Sequence, residues 1–150
     1  MSWDVYFVHF ENELWPPVDP KPVLAVFERY CETLQRKEHG YDCKLRDGLE
    51  IEIYSAPLDG SEPFDGPMFA FRGFTPVAAR FLYEAAVAGQ ATVIAPGITC
   101  LVEETKDTDL PKDLRKSQPV IHVGDADELY AALTEGFDGW RRYRDHVVGR

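Results

Sequence analysis

Histidine, cysteine and serine are the side chains best suited to bond-making chemistry, and in this chain their spacing assembles none of the familiar constellations. His9, His39, His122 and His146 fall in separate segments. No two are four apart on a helix, and none stands at metal-ligand spacing from a cysteine, so the spacing predicts no metal site. Ser2, Ser55, Ser61 and Ser117 lie outside any GxSxG elbow. Neither GxGxxG nor GxxxxGK[ST] occurs, and the glycines stand singly where turns need them. Cys31, Cys43 and Cys100 are odd in number and form no CxxC pair. They read as reduced, buried thiols of a cytoplasmic protein rather than as a disulfide framework. No catalytic residue, metal or cofactor is therefore expected.

Carboxylates are the more informative population. Asp and Glu number 26 against 16 Lys and Arg, a net charge of −10. Residues 1–110 hold 19 acids and 9 bases, whereas residues 111–150 hold 7 of each. Such a balance disfavours nucleic acid and anionic membranes, whose phosphates need lysine and arginine. It favours a basic partner, or solubility alone. Two acidic runs stand out: Asp59, Glu62 and Asp65, then Glu103, Glu104, Asp107 and Asp109. They would form one surface if the fold brought both loops to the same edge. Trp15, in the sequence WPPV, adds a rigid aromatic that could anchor an interface or fold back onto the sheet. Arg141, Arg142, Arg144 and Arg150 are interleaved with Asp138 and Asp145, as on a solvated helix.

These residues need a scaffold, and the hydrophobic periodicity predicts one. With 150 residues, 45% of them apolar, the chain reads as a single globular domain spanning 1–150. Its first ten residues lack the basic start of a signal peptide, and no apolar run is long enough to span a membrane. Trp3–Phe10 alternates with two apolar faces, as an interior strand does. Asp19 and Pro20 open a helix whose stripe, Val23, Phe27, Tyr30, Cys31 and Leu34, extends it to about Glu38. A three-residue loop, Arg46-Asp47-Gly48, pairs Leu45 with Leu49, Cys43 with Ile51 and Tyr41 with Ile53, so that all six share a face. The same register sets Asp42 opposite Glu52, an unfavourable pair.

Residues 56–67 read as a loop and Met68–Gly73 as a strand. Thr75 and Pro76 start a helix ending at Gly89, and Pro96-Gly97 joins two strands. Residues 105–118 read as an exposed polar loop, and Pro119–Val123 as a strand. Asp125 and Glu128 form a capping box. Gly136 and Gly139 predict a break before a last helix around Trp140, Tyr143 and Val147. The expected architecture is an α+β two-layer sandwich, mostly antiparallel, with helices on one face in the order β-α-β-β-β-α-β-β-β-α-α.

The opening Met1-Ser2-Trp3-Asp4-Val5 and the stretch FAFRGFT, Phe69–Thr75, resemble segments of uncharacterised small acidic bacterial proteins, some of them immunity proteins for secreted toxins. That resemblance implies no catalytic residues. The expectation is a non-enzymatic, cytoplasmic protein that engages a basic protein through Trp15 and the two acidic runs, in its most concrete version by neutralising a toxin. An enzyme or small-molecule binder is the alternative. It would use a pocket between sheet and helices, with Tyr6, His9, Arg72 and His122 as its polar groups. A structural homodimer through Trp15 and the sheet edge is the third.

Overall fold

Trp3, Val5 and Phe7 are buried while Tyr6 between them is exposed, so the first strand offers one face to a core and the other to the outside. This strand, β1 (Trp3–Val8), lies in the middle of an eight-stranded sheet. The computed structural model describes residues 2–148, with side chains through Asp145. Met1 and Arg150 therefore lie outside the described residues, as do the side chains of His146 and Val147. After β1 come α1 (Lys21–Tyr30), β2 (Cys31–Arg36), β3 (Gly40–Leu45), β4 (Glu50–Tyr54), β5 (Met68–Phe71) and α2 (Pro76–Ala88). The chain continues through β6 (Thr92–Ala95), β7 (Ile98–Val102), a 3₁₀ turn at Asp107–Asp109, α3 (Lys112–Ser117), β8 (Val120–Val123) and α4 (Ala126–Val148).

The sheet order is β2-β3-β4-β5-β1-β6-β7-β8, antiparallel throughout except for the parallel pair β7–β8. The mostly antiparallel α+β architecture is thus as expected. The first strand–helix unit runs on into three strands, β2, β3 and β4, and the second into two, β6 and β7, so the two units do not share an element order.

The hairpin β3–β4 adopts the register that its apolar pattern demands, with Tyr41 opposite Ile53 and Cys43 opposite Ile51. Gly48 takes the left-handed conformation, φ 93°, and the Leu45 N–H donates to the Leu49 carbonyl. The unfavourable Asp42–Glu52 pair does form, and Arg72 relieves it by binding Glu52 at 2.5 Å. Thr75 caps α2 as predicted, accepting from the Ala78 N–H at 3.1 Å.

Four sequence expectations are corrected. Helix α1 stops at Tyr30, and Cys31–Arg36 is an edge strand hydrogen-bonded to β3. Leu34 satisfies either reading, because it continues the helical stripe and also sits on the inner face opposite Cys43. Pairing with β3 decides the matter, since it satisfies backbone groups that a longer helix would have placed elsewhere. The second correction follows from the first. With Cys31 in a strand, its Cα lies 5.9 Å from that of Cys43, and the two form a disulfide rather than two free thiols. Cys100 remains a free, buried thiol.

Residues 105–118 are not a simple exposed loop. They hold the 3₁₀ turn and α3, and Leu110 is fully buried. Finally, α4 runs unbroken through Gly136 and Gly139. Each glycine weakens a helix by about 1 kcal/mol relative to alanine, but Leu129, Leu133 and Phe137 bury a continuous apolar face that outweighs this. Near Gly136, α4 lies against Trp3, whose ring meets Phe137 and Phe74 edge-on at 5.5 and 5.7 Å.

Candidate functional site

Strand direction brings the acidic loops together. Tyr6 pairs with Met68, Tyr54 with Met68, and Val8 with Thr92, so β1 and β4 finish, and β5 and β6 begin, at one end of the sheet. Antiparallel pairing with β6 sends β7 to finish there too. Loops 9–20, 55–67 and 103–109 therefore all emerge at this end and hold ten carboxylates and one lysine, and the β2–β3 turn with Arg36, Lys37 and Glu38 lies at the same end. Gly66 fixes part of this arrangement. At φ 122° its backbone lies against the Phe7 carbonyl, where a Cβ would collide, and the Phe7 N–H donates to the Pro67 carbonyl at 3.0 Å.

The individual carboxylates have different surroundings. Asp59 is committed locally. Hydrogen bonds from Ser61, and then the Arg36 guanidinium at 3.1 Å, hold its carboxyl below the usual range. Glu62 borders a depression shared with Arg36 and Lys37. Asp65 is exposed and borders the same crevice as His9. Glu103, Glu104 and Asp109 line a cavity of about 690 Å³ with His9, Glu11 and Lys106. Asp107 is exposed on the 3₁₀ turn. The acidic field extends to the start of α4: burial first, then the charges of Glu103, Asp125 and Glu128, push the Tyr83 phenol upward.

His9 is fixed by two acceptors, the Gln90 carbonyl at 2.7 Å from Nδ1 and the Glu11 carboxylate at 2.9 Å from Nε2. Both bonds form at once only when both ring nitrogens carry protons. Val87 and Val102 supply apolar wall to the same cavity. The arrangement can receive a cationic group carried on an apolar stem. Among the described residues, no three His, Cys, Asp or Glu side chains gather as a metal-binding set.

The four polar groups of the pocket alternative are dispersed. His9 lines the cavity. Tyr6 is exposed on the outer face of β1, and His122 is exposed on the edge strand β8. Arg72 pairs with Glu52 in a shallow outer-face depression of charged residues that includes Lys44 and Glu50. The hydrogen bond from Arg72, then one from Tyr54, holds the Glu52 carboxyl below its ordinary value.

Trp15 does not fold back onto the sheet; it is 56% exposed beside Leu14, at 66%. Sequence reasoning passed over Leu14 and the turn that presents it. Asn12 and Glu13 both take positive φ, 50° and 67°, although neither is the glycine that usually marks such a turn. The adjacency of Leu14 to Trp15 was the available signal. The chain matches no protein-family model, and no curated protein or solved structure is a significant match to it.

Proposed function

We propose that this is a non-enzymatic binding protein whose acidic sheet end engages a basic protein, with neutralisation of a basic toxin as its most concrete role. The observation that carries this reading is the common emergence of three loops with ten carboxylates and one lysine. Such a field speeds association and rejects acidic competitors more than it raises affinity. A cytoplasmic setting belongs to the proposal, with a corollary. In a reducing compartment Cys31 and Cys43 would be held as thiols, and the protein would act without its cross-link.

The test is capture from the source cell at low and high ionic strength, followed by mass spectrometry. A basic protein retained only at low salt is expected. Charge reversal of Glu103, Glu104 and Asp107 to lysine should abolish that retention, and unchanged capture would overturn the reading. A second reading, a small-molecule site, is favoured by the cavity beside His9. It predicts a ligand that co-purifies with the wild-type protein and is lost in His9→Gln.

A further inference from the structure

Glu11, Asn12, Glu13 and Leu14 form a tight two-residue turn. The Glu11 and Leu14 backbones exchange hydrogen bonds of 2.8 and 2.9 Å, and both central residues are left-handed. Asparagine enters that region readily, but a glutamate held there needs support from its surroundings. Here the support comes from a distant segment. The Asp109 carboxylate accepts the Asn12 N–H at 3.1 Å, and the Asp109 carbonyl accepts the Glu13 N–H at 2.9 Å. The Glu13 carboxylate in turn accepts the Lys112 N–H at 3.0 Å. Pro16 and Pro17 stiffen the exit.

What this framework displays is apolar. Leu14 and Trp15 are the most exposed large hydrophobic residues among the described residues, apart from Tyr143. A lone exposed leucine is ordinary. Two adjacent apolar side chains on a turn clamped from 97 residues away are an anchor already ordered for binding. Its surroundings are acidic: Glu11 and Glu13 precede it, and Asp107 and Asp109 lie on the clamping segment.

We propose that Leu14 and Trp15 are the apolar anchor of this interface, and that the partner offers an apolar slot rimmed by lysine and arginine. This inference rests on the basic-partner reading and specifies the partner's surface. Asp109 is its positioning residue.

Two synthetic probes separate the claims: an amphipathic leucine–lysine peptide and a glycine–lysine peptide of equal charge. The wild-type protein should prefer the leucine-bearing peptide about tenfold. Trp15→Ser and Leu14→Ser should each erase that preference, weakening leucine–lysine binding more than glycine–lysine binding. Asp109→Ala should weaken the preference and speed amide exchange at Asn12, whose N–H the carboxylate accepts, and Asp109→Asn, which keeps an acceptor oxygen, should restore both. A wild-type protein without the preference, or a Trp15→Ser variant that keeps it, overturns the anchor and leaves the basic-partner reading standing. Failure to bind either peptide overturns both. A sedimenting dimer that Trp15→Ser dissolves would make a second copy the occupant and overturn the basic slot.

Discussion

The two halves of the sheet are built on different plans. In β3 and β4 the outward side chains are Asp42, Lys44, Glu50, Glu52 and Tyr54, polar and at least partly exposed, so this half has one wet face. In β6 and β7 the outward residues Thr92, Thr99 and Leu101 are at most 2% exposed, and the fourth, Ile94, is half-buried. Gln118, just before β8, donates to the Thr99 hydroxyl at 2.8 Å and the Ala95 carbonyl at 3.1 Å. Its own carbonyl oxygen accepts the Gly97 N–H at 3.2 Å. Gln118 ties the end of segment 105–118 to this half, and Leu110 of the same segment is fully buried. An antiparallel sheet can thus change from one-sided to two-sided burial along its width.

That contrast can be broken. Leu110→Ala should cost about 2–5 kcal/mol by urea unfolding, whereas Tyr54→Ala on the open half should stay within about 1 kcal/mol. Equal costs would mean that residues 105–118 do not form a second core. Reducing Cys31–Cys43, 12 residues apart, should cost about 3 kcal/mol, read as a lower unfolding temperature with added dithiol. Cys100 will not confuse this measurement. Burial pushes its thiol up to about 12, so alkylation at neutral pH should leave it unlabelled until the protein unfolds.

Gln118→Ala should cost about 1–3 kcal/mol, because it strands buried acceptors, with amide exchange rising at Gly97. The smallest effect belongs to the open face. Arg72→Ala should change stability at neutral pH by no more than about 1 kcal/mol, since both partners of this pair are solvated. Its signature is in acid. Glu52 titrates below its ordinary value in the folded protein, so its stabilisation is present above that value and is lost as pH falls through the folded one. Removing Arg72 should raise the Glu52 midpoint in an NMR titration.

Local chemistry was legible wherever one pattern admitted one solution. The β3–β4 register followed from six apolar positions and Gly48, and the α2 cap from Thr75 and Pro76. The errors share a cause. Cys31–Arg36 and residues 105–118 take their structure from partners far along the chain, β3 in one case and the outer face of β6 and β7 in the other. Nothing local distinguishes an edge strand from a last helical turn when Leu34 fits both. The run Ile98–Val102, apolar except for Thr99, was the available clue to the second. At the acidic end, the carboxylates were visible as residues. The turn at Asn12 and Glu13 was not, because Asp109 enforces it from outside.

The central place of β1 bears on how the chain is made. Both of its neighbours, β5 and β6, are synthesised after it and begin at Met68 and Thr92. At ordinary synthesis rates an apolar segment containing Trp3, Val5 and Phe7 waits on the order of ten seconds for both edges to be covered. Nascent-chain chaperones would have their longest opportunity here. A circular permutant that moves β1 to the carboxyl end would shorten that exposure without altering any native contact of the sheet.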